Sequence, residues 1–197
     1  MPVIPPATQA LLMINTVIFA LDQLSGGLLT HYFALYPLGG GFMPWQLLTY
    51  GFLHGGFEHI FFNMWGLWMF GSELERVWGR QRFLQFYLAS VVAAGLMQLL
   101  VDMLLNSPFP TLGASGGIYG LLMAYGMLFP NRQIMLLIPP IPMKARTFVF
   151  VFGAIELFMG VIYTHSGVAH FAHLGGMLGG WLVLRYWRGQ PPFGRRW

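Results

Sequence analysis

The feature that most constrains this chain is a succession of six apolar segments joined by short connections. Charged residues make up 8% of the chain and hydrophobic residues 56%, whereas about 25% of a soluble domain is charged. None of the segments alternates apolar and polar residues as a transmembrane β-strand does. We therefore predict an all-α membrane protein, a single domain over residues 1–197 with six transmembrane helices. The segments run about Ala10–Leu29, Leu53–Gly71, Phe83–Leu104, Ser115–Phe129, Thr147–Tyr163 and Val168–Trp187.

The basic residues lie on alternate connections and after the last segment. The positive-inside rule assigns those connections to the cytoplasm, so with six spans both termini are expected there. The start of the chain lacks the basic region of a cleaved signal peptide, so the first segment is expected to be retained. The net charge of +4 then reflects topology, and no basic stripe supports nucleic-acid binding. The absence of cysteine excludes disulfides and thiolate chemistry. The ten basic residues are Arg76, Arg80, Arg82, Arg132, Lys144, Arg146, Arg185, Arg188, Arg195 and Arg196.

The fourth segment is short and begins at a serine flanked by glycines. Ser115 to Phe129 makes about 22 Å of helix, against a hydrocarbon core of about 30 Å. The proline-containing stretch before it, 106–114, cannot be regular helix, and irregular backbone at that depth needs burial or a wet cavity. We predict a fourth helix that starts inside the membrane. Because glycine lets a substrate backbone approach closely, Ser115 is a candidate nucleophile.

The depth of a residue in the membrane can be measured as helix rise from the basic residues expected on the cytoplasmic side. By this measure, four polar side chains lie in one layer of the outer half of the membrane. Ser115 and His59 lie about 25 Å from that side, Asn63 about 20 Å and His173 about 18 Å. Ionisable groups are costly within a membrane and by default mark a functional site. We therefore expect these four side chains to share an aqueous pocket in the outer half of the membrane.

The second segment places two of these residues four positions apart. His59 and Asn63 therefore share one helix face. Both side chains can donate hydrogen bonds, which suits the stabilisation of a developing oxyanion. Hydrogen bonding between neighbouring helices is the alternative role, and spacing alone leaves it open.

The sixth segment carries two overlapping pairs of glycines. Gly175 with Gly179 and Gly176 with Gly180 form a face that lets another helix pack at short distance. The expected partner is the fourth segment, through Gly116, Gly117 and Gly120. Such packing would bring His173 within reach of Ser115 as its general base. His170 lies three residues earlier and remains a rival for that role.

Together these motifs resemble those of rhomboid-family intramembrane serine proteases of the compact six-helix type, over nearly the whole chain. Gly113-Ala114-Ser115-Gly116 matches the family's Gly-x-Ser-Gly motif. His173 matches the histidine before the glycine motif of the sixth helix. The resemblance implies a serine endopeptidase that cleaves transmembrane segments by a Ser-His dyad. The alternative is a catalytically inactive rhomboid-like protein that binds membrane partners.

Further positions match the family's supporting residues. The resemblance implies that Tyr119 packs against the catalytic histidine. It implies an oxyanion hole of His59, Asn63 and the backbone N–H of Ser115. His54 and Glu75 also match family positions. The glycines expected to support the catalytic pair are Gly113, Gly116, Gly176 and Gly180.

The resemblance also implies the setting of the reaction. Transmembrane protein substrates would enter laterally from the lipid and unwind, with membrane lipids as neighbours and with no cofactor or metal. The compact form suits a prokaryotic plasma membrane, with the site open to the outer face.

Two positions depart from this pattern. The first outer loop reads Trp45-Gln46 where the family often has Trp-Arg, and Gln46 lacks the charge and the donor fork of arginine. Glu156, in the fifth segment, is expected to be either a polar packing contact or part of a gate. Neither it nor Asp22 or Asp102 matches a family position that orients the histidine, and an uncompensated carboxylate there would be costly to desolvate.

Overall fold

A computed structural model describes residues 3–135, 140–162 and 169–192, which form a bundle of helices. Two short antiparallel strands between the sixth and seventh helices, β1 and β2, depart from the expected all-helical fold. A 3₁₀ turn at Tyr50–Phe52 and a π turn at Leu67–Gly71 connect helices. The elements are α1 Pro6–Leu24, α2 Leu28–Phe33, α3 Gln46–Thr49, α4 Phe57–Gly66, α5 Ser72–Leu105, α6 Ser115–Leu128, β1 Gln133–Met135, β2 Pro142–Lys144, α7 Ala145–Ile162 and α8 His170–Trp187.

The surface of the bundle is apolar, as a membrane protein requires. Three helical stretches among the described residues are long and apolar enough to cross a membrane, at Pro6–Leu24, Phe57–Leu105 and Ala145–Ile162. On α7, the side chains of Phe150 and Phe158 are 81% and 61% exposed. Apolar side chains on this scale would be unfavourable in water but are stable against lipid tails.

The second segment extends past Gly71 in the structure and is separated from the third by a kink within α5. α4 passes through the π turn into α5, and the direction changes at Gly79, whose φ of 75° is not helical. The prediction that the second helix spans Leu53–Gly71 was therefore wrong at both ends. The polar stretch 72–76 interrupts the hydropathy pattern, but it does not interrupt the helical backbone.

The first segment also ends earlier than predicted. α1 stops at Leu24, because Gly26 and Gly27 take positive φ values of 67° and 87° and turn the chain into α2. The buried carboxylate of Asp22 holds this turn by accepting hydrogen bonds from Thr30, at 2.9 Å from the backbone N–H and 2.6 Å from the hydroxyl. The apolar residues beyond Leu24 belong to α2, so hydropathy alone merged two helices.

Glu75, in the first turn of α5, fastens the start of α1 to the bundle. Its carboxylate accepts hydrogen bonds from the N–H groups of Ala7 and Thr8 at 2.8 and 2.6 Å. It also accepts one from the Thr8 hydroxyl at 2.8 Å. α1 has no side-chain cap of its own, and a carboxylate is favourable at a helix N-terminus. Glu73 also lies 2.9 Å from Arg132, so two of the basic connections meet at this end of the bundle.

Gln46 organises the loop between α2 and α3, although it lacks the charge of arginine. Its side chain is 2% exposed. The amide oxygen accepts hydrogen bonds from the N–H groups of Met43 and Tyr36, at 3.0 and 3.3 Å. The amide nitrogen donates to the carbonyl of Tyr32 at 3.3 Å. The neutral amide of Gln46 therefore supplies one donor and one acceptor oxygen to the backbone of this loop.

We expect Gln46→Ala to lower the free energy of unfolding by about 1–3 kcal/mol, because it leaves backbone groups of the loop without partners. Thermal unfolding in detergent would measure the change. Gln9→Ala, at an exposed position of α1, is the matched control and is expected to melt like the parent. An unchanged melting temperature in Gln46→Ala would contradict this role for the side chain.

Candidate active site

Ser115 is the first residue of α6, and Gly113 shapes the approach to it. The N–H of Gly113 donates to the carbonyl of Tyr50 at 3.0 Å, and its φ of 131° is one that side chains rarely adopt. A Cβ at Gly113 would lie 2.8 Å from Nε2 of His59. A glycine is therefore required here, and it allows the serine turn and His59 to approach closely.

One glycine pair of α8 lies directly against the backbone of α6. A Cβ on Gly176 would lie 1.9 Å from the carbonyl oxygen of Gly116. A Cβ on Gly180 would lie 3.0 Å from the carbonyl oxygen of Gly120. Neither distance leaves room for a side chain, so the two helices approach as closely as their backbones permit.

The other glycine pair of α8 faces α5. A Cβ on Gly175 would lie 2.4 Å from that of Met97, and one on Gly179 would lie 2.3 Å from that of Ala93. Gly117 of α6 also packs against α5, where an added Cβ would lie 2.5 Å from the ring of Tyr87. The expectation that Gly117 packs on the sixth helix was therefore wrong. Spacing along a helix identifies its small faces but not the neighbour that each face meets.

The close packing of α6 and α8 brings Ser115 and His173 together. Nε2 of His173 lies 2.7 Å from Oγ of Ser115. The ring of Tyr119, one turn along α6, stacks on the imidazole with centroids 4.3 Å apart and planes 6° from parallel. His170, the rival base, instead places its Nδ1 2.7 Å from the Glu156 carboxylate.

Ser115, Tyr119 and His173 line a cavity of about 700 Å³ that is also lined by His59 and Asn63. Nδ2 of Asn63 donates to the carbonyl of His59 at 2.8 Å, so part of its donor capacity is used within the helix. His54 is buried beside His59, with ring centroids 5.1 Å apart. The structure thus brings predicted polar residues of the second, fourth and sixth segments to one cavity. His54 does not line the cavity but packs against His59, which does.

Glu156 also belongs to this cluster, although the sequence analysis expected only a polar packing contact or part of a gate. Its Oε2 lies 2.7 Å from Nδ1 of His170 and 2.9 Å from Nδ1 of His173. Its Oε1 accepts a hydrogen bond from the hydroxyl of Tyr119. The objection that a carboxylate here would be uncompensated is therefore wrong, since three polar groups surround it.

Comparison with known proteins identifies the family. A family model described as Rhomboid domain matches residues 41–189, which is most of the chain. This chain belongs to the rhomboid family. The match confirms the resemblance seen in the motifs.

Several curated rhomboid proteins are similar to this chain. Rhomboid protease GluP of Bacillus subtilis is 34% identical over 71% of this chain and 25% of its own length. Rhomboid protein 1, mitochondrial, of Saccharomyces cerevisiae is 32% identical over 71% of this chain and 42% of its own. Presenilin-associated rhomboid-like protein A, mitochondrial, of Danio rerio is 30% identical over 74% and 39%. The chain therefore matches less than half the length of each of these three relatives.

One cluster in this rhomboid has the composition of a metal site. Glu156, His170 and His173 offer ligand atoms that all lie within 4.8 Å of one another. Neighbouring ligands of a tetrahedral zinc, each 2.0–2.2 Å from the metal, stand about 3.4 Å apart. The two Nδ1 atoms lie 2.7 and 2.9 Å from the same carboxylate oxygen, which is closer than the ligands of one zinc ion stand to each other. The geometry fits a polar network better than it fits a metal.

A signal for Glu156 was present in the sequence. A carboxylate within an apolar span is costly and points to a site by default. The sequence did not reveal the partners of this carboxylate, because they lie on two other helices. They are Tyr119, His170 and His173.

Proposed function

We propose that this rhomboid is an intramembrane serine endopeptidase that cleaves transmembrane segments of other proteins. Ser115 is its nucleophile and His173 its general base. The observation that carries the proposal is the 2.7 Å contact between their side chains at the wall of a cavity large enough for an extended peptide. A serine hydroxyl held against an imidazole in this way is the arrangement that activates it.

The reaction follows from the contacts. His173 Nε2 takes the proton of Ser115 as Oγ bonds to the scissile carbonyl carbon. The backbone N–H of Ser115 at the start of α6, together with His59 and Asn63, stabilises the oxyanion. His173 then protonates the leaving amine, the C–N bond breaks, and an acyl ester remains on Ser115. Water activated by His173 hydrolyses that ester and restores the serine.

We propose that the chain crosses the membrane six times with both termini in the cytoplasm, in a prokaryotic plasma membrane. The contact between Glu73 and Arg132 supports one common basic end of the bundle. Ser115 begins α6 at the end of that helix far from Arg132, so the cavity would open to the outer face and admit water. A substrate segment would enter laterally from the lipid and unwind, because a helix hides its scissile carbonyl in internal hydrogen bonds.

We expect a serine-directed fluorophosphonate probe to label the parent protein in detergent and not to label Ser115→Ala. The probe reacts with an activated hydroxyl and needs no knowledge of the substrate. Ser25→Ala, at the end of α1, is the control and is expected to label like the parent. Equal labelling of the parent and Ser115→Ala, or no labelling of either, would contradict the hydrolase. The second result would favour a protein that binds membrane partners without cleaving them.

A further inference from the structure

Glu156 is a buried carboxylate on a helix that is exposed on both sides of it in the sequence. Glu156 is 7% exposed, whereas Ile155, Leu157 and Phe158 are 48%, 53% and 61% exposed. An ionisable group inside a membrane bundle is expensive and needs partners. Here the partners come from both adjacent helices, Tyr119 from α6 and His170 and His173 from α8.

We propose that Glu156 is a positioning residue that orients His173 and supports its positive charge, so that the site works as a Ser-His-Glu unit. The inference rests on the proposed function. It adds to the dyad a carboxylate from α7, which the motifs around Ser115 and His173 do not contain.

A carboxylate beside the ring assists the chemistry of the base. For His173 Nε2 to accept the proton of Ser115, the ring proton must sit on Nδ1. Oε2 of Glu156 lies 2.9 Å from that atom. The oxygen stands off the direction of a well-aligned N–H bond, so the interaction is mainly a charge beside the ring. A negative charge there favours both the proton on Nδ1 and the imidazolium that forms during catalysis.

Among the described residues, the carboxylate within ion-pair distance of His173 is that of Glu156. In the described parts of the chain, the Asp22 carboxylate binds Thr30, and that of Asp102 accepts from Gln98 at 2.8 Å. Stacking on Tyr119 fixes the plane of the His173 ring, but it cannot choose which nitrogen carries the proton. The negative charge of Glu156, 2.9 Å from Nδ1, favours the proton on that nitrogen.

Tyr119 and His170 hold the carboxylate in place. The Tyr119 hydroxyl donates to Oε1 while its ring stacks on His173. Nδ1 of His170 lies 2.7 Å from Oε2 in a well-aligned hydrogen bond. His170, the rival base, is therefore assigned to orienting Glu156.

Glu156→Gln tests the inference. The variant keeps the shape of the side chain but removes its charge, and its NH₂ group facing Nδ1 would favour the wrong tautomer of His173. We expect kcat for a reporter transmembrane substrate to fall by about 10²–10⁴-fold, with KM and the melting temperature nearly unchanged. The rate of fluorophosphonate labelling should fall in parallel. Asp22→Asn removes a buried carboxylate elsewhere and is expected to keep the parent kcat and labelling rate.

A pair of further variants tests the inference if Glu156→Gln does not fold. Glu156→Asp and Glu156→Asn have side chains of equal length and differ in charge, so the inference requires the Asp variant to be at least about tenfold faster. Equal rates for this pair, or a kcat for Glu156→Gln within threefold of the parent, would overturn it. So would a loss of labelling when the parent is treated with EDTA, since Glu156 would then be a metal ligand. A parent protein that neither cleaves nor labels would instead refute the proposed function.

Discussion

Ser115→Ala and His173→Ala are each expected to abolish cleavage of a reporter transmembrane substrate, with at least about a 10³-fold loss of kcat. The first variant removes the atom proposed to bond to the scissile carbonyl. The second removes the imidazole proposed to take the serine proton, whose Nε2 lies 2.7 Å from Oγ. Because the two residues act as one unit, the double variant should lose no more than either single variant.

Cleavage would be measured in proteoliposomes, together with the melting temperature of each variant. Neither substitution leaves a large void in the bundle, so each variant should stay folded. His170→Ala distinguishes the roles of the two histidines. It should reduce activity less than His173→Ala does, because Nδ1 of His170 contacts Glu156, whereas Nε2 of His173 contacts the serine. Activity retained in His173→Ala but lost in His170→Ala would transfer the role of base to His170.

Gly176→Leu is expected to cause the largest loss of stability. Even the Cβ of the new side chain would lie 1.9 Å from the Gly116 carbonyl, so α6 and α8 must separate. Overpacking of this kind costs about 3 kcal/mol. The separation also pulls His173 away from Ser115, and a displacement of 1 Å can lower the rate about 10²-fold. We therefore expect activity and melting temperature to fall together.

Two alanine substitutions accompany this one: Gly176→Ala repeats the clash with a smaller side chain, and Gly153→Ala is the control. Gly176→Ala introduces the same clash with backbone, whereas a Cβ at Gly153 of α7 would meet only the flexible end of Met177 at 3.4 Å. Gly176→Ala should therefore destabilise the protein and Gly153→Ala should not. Parent-like melting and cleavage in Gly176→Leu would show that the close approach of α6 and α8 is unnecessary.

The parts of the site that could be predicted are those whose signals lie close together in the chain. Ser115 stands out because glycines flank it at the start of a short apolar segment. His173 stands out because it directly precedes a glycine face. Helix rise then places both at similar depth, since a helix advances by a constant 1.5 Å per residue. The structure brings these two side chains into contact.

The errors in the helix boundaries have a local cause. Hydropathy extended the first segment past Leu24 and ended the second at Gly71. The backbone instead turns at Gly26 and Gly27, and it remains helical through the polar stretch 72–76. Hydropathy reports where apolar side chains occur, whereas backbone dihedral angles decide where a helix ends.

By itself the sequence determined the class of protein, its family and the residues with the chemistry of a serine hydrolase. Scarce charge, long apolar runs and the motifs around Ser115 are all local properties. Only the tertiary structure decided which helix each glycine pair of α8 meets, that Gln46 closes its loop, and that Glu156 lies against His173. Those outcomes depend on how each helix is rotated and which neighbours it packs against. Such relations join residues far apart in the chain, so no spacing along one segment encodes them.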